Sequence, residues 1–408
     1  MHVALLSPAW PLDQYPNGVV TYVHWMREEL RRAGHDVSIF CVTLGHPEKG
    51  VYQVKPSLRR RLRAWLASTG GQASQHWMLH WGSVCADAIR AVHRSQPIDV
   101  IEMEESFGWC GDVAAATGIP TIVKLHGPAF MSMVEEERKT PFARVKIDKE
   151  GQALARVAVI LAPSHCTLRE TVTHYRLKPT VQRAVVNPLA LPPGAPLWDL
   201  KGCNAQTILF VGRFDKLKGA DIVLEAFRKL LKTRPELRLI FVGPDAGIPT
   251  QEGPLEHFEA YRARLFPAEQ AANVSFRGKL KPEEIYTLRA EAFVTVVASR
   301  WENQSYTALE AMLQGCPLVS TDAGGQAEIV AHGSTGLLAR SGSADDFHDK
   351  IELLLRDPQY AAALGRAGRA YVLDRHSPAR VASETLAAYR EAILLSASAP
   401  AAVNPQAA

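Results

Sequence analysis

The chain has 408 residues, 47% of them apolar and 22% charged, which fits a globular protein long enough for two domains with separate cores. A net charge of +4 gives no argument for nucleic acid as a partner, and no run approaches the roughly 18 apolar residues of a membrane span. The six cysteines are scattered, with no Cys-x-x-Cys pair, which suits reduced thiols better than a disulfide frame or a zinc site.

The amino terminus, Met1-His-Val-Ala-Leu-Leu-Ser-Pro8, lacks a basic leader, so the expected location is cytoplasmic, or peripheral at the inner face of a membrane. Short apolar runs then alternate with amphipathic stretches. In the first half strands are expected at Val3–Ser7, Val37–Val42, Asp99–Met103, Thr121–His126, Ala158–Ala162 and Val181–Val186. Several are almost wholly hydrophobic, as strands covered on both faces must be. Apolar residues recur at helical spacing over Val20–Ala33 and stop at Gly34. The pattern begins afresh at Thr207 and continues through Leu237–Val242, Val274–Arg277, Phe293–Ala298, Leu318–Ser320 and Gly336–Ala339. Repeated strand–helix units imply α/β architecture with doubly wound parallel sheets.

Between the halves lies Asn187-Pro-Leu-Ala-Leu-Pro-Pro-Gly-Ala-Pro196, which no strand or helix interior tolerates. This places a first domain at 1–187 and a second at 188–376, with a helix near 377–395 packing back on the first. An Ala-, Pro- and Ser-rich tail, 396–408, is expected to be disordered. Each half opens with a buried strand, a polar loop carrying a glycine (Gly18, Gly219) and a long helix. Neither has Gly-x-Gly-x-x-Gly after its first strand, which counts against a dehydrogenase.

The most informative stretch is Ser299 to Gly325. A strand runs into a polar turn bearing Glu302, and a helix starts near Ser305, carries Glu310 in its second turn and stops at Gly315. A second strand then ends at Ala323-Gly324-Gly325. Free N–H groups at a helix start bind phosphate, and carboxylates accept hydrogen bonds from sugar hydroxyls. Together they suit a sugar attached to a nucleotide diphosphate. In the same half, Arg213 and Lys218 flank the loop Gly212-Arg-Phe-Asp-Lys-Leu-Lys-Gly219 at the carboxyl end of its first strand, where two cations can hold a leaving diphosphate. Lys216 stands beside them.

Glu302 and Glu310 are separated by seven residues. That spacing alone arises constantly by chance. With the flanking strands and glycine turns, the segment resembles the Glu-x7-Glu signature of retaining glycosyltransferases, particularly family 4, and the likeness extends over nearly the whole chain. The resemblance implies a GT-B architecture: two facing Rossmann-like domains with an interdomain cleft, the acceptor on the first and the donor on the second. It implies that Glu310 bonds the nucleotide ribose and Glu302 the donor sugar. Arg213 and Lys218, with the N–H groups of Ser305, Tyr306 and Thr307, would hold the diphosphate. His126, at a strand end where a satisfied polar cap is the commoner role, would position the sugar. Leu280, after the turn Phe276-Arg-Gly-Lys, would border the base. The family usually has two glycines in the first loop. Here Gly18 is followed by Val19, so a plain Asn17-Gly18 turn and a donor-facing loop both stay open.

No Asp-x-Asp occurs, so no metal and no cofactor beyond the nucleotide-sugar co-substrate is expected. The function implied is transfer of a sugar, hexosyl in type, from a UDP- or GDP-sugar to a glycan, lipid-linked or small-molecule acceptor in polysaccharide biosynthesis. A nucleotide-sugar epimerase or phosphorylase of the same fold, or a non-catalytic sugar-nucleotide binding protein, is the alternative. In the stretch 56–66, Leu58, Leu62, Trp65 and Leu66 share a helical face while Arg59, Arg60, Arg61 and Arg63 take others. This fits either a peripheral contact with anionic lipid or an ordinary amphipathic helix with a solvated basic face.

Overall fold

A computed structural model describes residues 1–56, 81–250 and 253–398. The arginine-rich stretch beyond residue 56, and the tail beyond residue 398, lie outside the described residues. The chain divides into two compact units. One comprises Met1–Phe130, Glu135–Pro188 and the C-terminal segment from Pro378; the other comprises Met131–Val134 and Leu189–Ser377.

The first unit is built on seven parallel strands: β1 (His2–Trp10), β2 (Asp36–Leu44), β3 (Val51–Gln53), β4 (Val100–Met103), β5 (Thr121–Lys124), β6 (Val159–Ala162) and β7 (Val181–Ala184). Their order is β3-β2-β1-β4-β5-β6-β7. Every residue of β4, β5 and β6 is buried, which is why these segments are mostly apolar; the charged exceptions, Glu102 of β4 and Lys124 of β5, are themselves buried. Helices α1 (Gly18–Arg32), α2 (Trp81–His93), α3 (Trp109–Thr117), α4 (Pro141–Leu154) and α5 (His165–His174) connect the strands among the described residues. The first helix begins two residues before the expected Val20, because the Asn17 side chain caps it by accepting from the Val19 and Val20 N–H groups at 3.1 and 3.0 Å.

The second unit holds six parallel strands: β8 (Asn204–Val211), β9 (Arg238–Val242), β10 (Val274–Phe276), β11 (Ala292–Val297), β12 (Leu318–Thr321) and β13 (Leu337–Ala339). The order is β10-β9-β8-β11-β12-β13. Its longer helices are α6 (Ala220–Leu230), α7 (Phe258–Leu265), α8 (Pro282–Glu291), α9 (Tyr306–Gln314), α10 (Ala344–Arg356) and α11 (Pro358–Arg375). A last helix, α12 (Pro378–Ser398), returns to the first unit. There the Tyr389 hydroxyl donates to buried Glu102 at 3.0 Å. Helix α12 also includes residues 396–398, which were expected to begin a disordered tail. No helix among the described residues is long and apolar enough to cross a membrane.

Candidate functional site

In an open α/β sheet, ligands bind outside the carboxyl ends of the strands where the chain order reverses. In the second unit that point lies between β8 and β11, which are hydrogen-bonded neighbours. The loop after β8 carries Arg213 and Lys218, and the loop after β11 carries Glu302. The two loops are locked together. Gly219, with φ +71°, turns against the Ala298 carbonyl so closely that a Cβ would collide with it. Arg300 N donates to Leu217 O at 2.8 Å, and the Arg300 guanidinium forks onto Asp221 at 2.7 and 2.8 Å while reaching the Lys216 carbonyl.

Within this frame Lys218 Nζ donates to Glu302 Oε1 at 2.6 Å, and Ser299 Oγ donates to the same oxygen at 2.7 Å. Glu302 is buried. Arg213 is half-exposed and its Nε pairs with Asp215 Oδ2 at 2.7 Å, so it does not stand as an unpartnered cation. Asp215 also accepts from the Lys218 N–H at 2.7 Å, which shapes the loop.

Helix α9 starts beside Glu302. Ser305 is its N-cap, with Oγ accepting from Ala308 N at 3.4 Å, while Ser305 N donates to Gln326 Oε1 at 3.0 Å. The Ser305 N–H is therefore engaged, whereas those of Tyr306 and Thr307 have no partner among the described residues. The Tyr306 hydroxyl is likewise buried without a partner there. Gly324, at φ +63°, packs against the Glu302 carbonyl, and Gly325 N donates to that carbonyl at 2.9 Å. Glu310, one turn further along α9, pairs with Arg289 of α8 at 2.8 Å. Leu280 follows Gly278 (φ +62°) and is half-buried against the small cluster of Leu209, Val242 and Ala292.

In the first unit, His126 lies two residues past β5 rather than on it, because its N–H bonds a side chain instead of the neighbouring strand. Both N–H groups of the His126-Gly127 turn are taken by buried Glu105: His126 N to Oε2 at 2.9 Å and Gly127 N to Oε1 at 2.7 Å. Burial, reinforced by Lys124, pushes the imidazole pKa down to about 3, so the ring is neutral. Tyr22 packs edge-on against it with centroids 5.0 Å apart. Burial raises the Glu105 carboxyl and, with Glu105 beside it, lifts Glu104 to about 7. Gly18 is the exposed first residue of α1, not part of a free loop, and Asn17 already occupies the N–H groups of Val19 and Val20.

Glu302, Lys218, Arg213 and the start of α9 thus gather at one switch point, with Glu310 on the same helix. Sequence reasoning missed Arg289, Arg300 and Glu105. Each acts through a partner distant in the chain, and no local pattern marks such a residue.

The family model described as Glycosyl transferases group 1 matches residues 201–371, and that described as Glycosyltransferase Family 4 matches residues 16–189. The chain is 27% identical over 406 residues to a D-inositol 3-phosphate glycosyltransferase of Paenarthrobacter aurescens, covering 92% of this chain and 93% of the relative. Its fold is similar to that of sucrose-phosphate synthase from Thermosynechococcus elongatus, with TM-score 0.74, 20% identity, and 97% and 100% of the two chains covered. It is also similar to Anabaena Alr3699/HepE solved in complex with UDP, with TM-score 0.66, 16% identity, and 96% and 100% covered. With one family model on each half and a relative matched along nearly its whole length, the chain belongs to the group 1, family 4 glycosyltransferases and is a glycosyltransferase of the α/β GT-B fold.

Proposed function

We propose that the protein is a retaining, metal-independent glycosyltransferase that moves a hexosyl group from a nucleotide-diphosphate sugar, UDP- or GDP-linked, to a glycan, lipid-linked or small-molecule acceptor. The observation that carries this reading is the contact of Lys218 with buried Glu302 at the β8/β11 switch point. In this reading Lys218 is the phosphate-binding cation and Glu302 the sugar-binding carboxylate, and the two side chains are one hydrogen bond apart. Alr3699/HepE, solved with UDP, supports a nucleotide donor. The name of the Paenarthrobacter relative adds a phosphorylated polyol to the small-molecule acceptors worth testing.

In this reading the diphosphate lies against Lys218, Arg213 and the unpartnered N–H groups of Tyr306 and Thr307. These donors offset the charge that grows on the leaving group. Glu302 accepts from a donor-sugar hydroxyl, and its negative charge favours the positive charge that develops at the anomeric carbon. Glu310 accepts from the ribose. His126, kept neutral, bonds a sugar hydroxyl and is too weak a base to take the acceptor proton at neutral pH. That proton passes to the donor's own phosphate oxygen as the acceptor oxygen attacks on the face the diphosphate leaves. The bond from anomeric carbon to phosphate oxygen breaks, the bond to the acceptor oxygen forms, and the configuration is retained.

Screening hydrolysis of UDP-, GDP- and ADP-sugars tests the reading. Release of nucleoside diphosphate from a UDP- or GDP-sugar is expected. Turnover of none of them would overturn the reading.

A further inference from the structure

Glu310 is held by a residue that has no exposed surface. Arg289, on α8, is fully buried, and its Nη2 donates to Glu310 Oε2 at 2.8 Å. Its Nη1 donates at 2.8 Å to Oε1 of Gln314, one turn beyond Glu310 on the same face of α9 and also fully buried. Gln314 is fixed in turn, with Nε2 donating to the Pro196 and Tyr286 carbonyls, both at 2.8 Å. The guanidinium fork therefore orients one carboxylate oxygen through a chain of buried bonds. Glu310 Oε1 has no partner among the described residues, and the side chain is 24% exposed.

A buried arginine with one carboxylate partner is costly to assemble and is weak evidence of a stabilising role. A charge problem at this site gives it another role. A carboxylate that bonds ribose sits close to the diphosphate on the same nucleotide, and like charges in a partly buried site repel strongly. We propose that Arg289 is a positioning residue for the nucleotide: it aims the free oxygen of Glu310 at the ribose and cancels the carboxylate charge that would otherwise oppose the diphosphate. This rests on the assignment of Glu310 to the ribose. Lysine cannot replace it fully, because a single ammonium does not supply the planar fork that spans Glu310 and Gln314.

The test is calorimetric titration of UDP, and separately GDP, into the full chain and its R289M, R289K, E310Q and R289M/E310Q variants, with thermal midpoints measured alongside. For whichever nucleotide the wild type binds, R289M is expected to weaken affinity at least tenfold and R289K less. The double variant should bind within about twofold of E310Q, since a glutamine needs no counter-charge, and residues acting through one another give non-additive effects. A merely structural arginine would lower the thermal midpoint in both backgrounds and leave no such coupling in affinity. Should R289M fail to fold, R289K measured with and without E310Q gives the same comparison. R289M or R289K binding like wild type, or costs that multiply in the double variant, overturns the proposal and leaves the ribose assignment standing. E310Q binding like wild type overturns both.

Discussion

Lys218 Nζ lies 2.6 Å from Glu302 Oε1, so the loop after β8 and the loop after β11 meet through their charged side chains. Ser299 holds the same carboxylate oxygen at 2.7 Å, which keeps Glu302 oriented whether or not Lys218 stays. In the proposed function Lys218 turns its ammonium toward the diphosphate while Ser299 still bonds Glu302. Replacing Lys218 or Arg213 by alanine is expected to lower turnover by roughly 10²-fold, the scale seen when one preorganised charge-stabilising donor is removed. Steady-state rates of folded variants check this. Near-normal rates in both would place the diphosphate elsewhere.

The two glutamates should separate kinetically. Glu310→Gln is expected to act mainly on KM, because a ribose contact is made equally in ground and transition states. Glu302→Gln is expected to act mainly on kcat, because charge develops on the sugar only as the bond breaks. Measured kcat and KM for the two variants decide it, and reversed phenotypes would exchange the roles.

Activity is expected to persist in EDTA, since in the proposed site Lys218, Arg213 and the N–H groups at the start of α9 supply the positive charge that a metal would otherwise bring. Rates measured after chelation and after adding back Mn²⁺ check this. A loss in EDTA that Mn²⁺ reverses would contradict it.

His126 gives a pH signature. Its folded pKa, about 3, lies below the ordinary 6.5, so an unfolded chain takes up the proton first as pH falls. The neutral ring contributes stability that is fully present above pH 6.5 and is lost as pH drops toward 3. Between pH 7 and 4.5 the loss is of the order of 2 kcal/mol, less whatever solvent access relieves. His126→Gln should remove that slope. Denaturant midpoints of the two proteins at both pH values check it, and parallel pH dependences would show that the ring is not held neutral by the fold.

Much of the fold was legible because strands buried on both faces are mostly apolar. Runs such as Val159–Ala162 and Ala292–Val297 carry no polar alternation to confuse them. Strand β3 escaped because three residues, Val51–Gln53, leave too short a pattern. In the site, Glu302 and Lys218 were legible because each sits in a turn directly after a hydrophobic strand. Arg213 was legible as a cation, but its pairing with Asp215 was not, since nothing in Arg-Phe-Asp tells whether the side chains meet. Arg300 was hidden differently: its partner Asp221 is distant in the chain, and only the folded sheet brings the two loops together. Gly18 was expected in the loop before the first helix, but the Asn17 cap starts α1 at Gly18 itself, a boundary that Asn-Gly in a sequence does not distinguish from a turn.

The central claim is retaining transfer from a sugar nucleotide whose diphosphate rests at Lys218 and whose sugar rests at Glu302. Its most direct test is NMR of the sugar first released when the enzyme hydrolyses its preferred donor, recorded before mutarotation. The account predicts nucleoside diphosphate together with a sugar of the donor's own anomeric configuration. A sugar of the opposite configuration would contradict it.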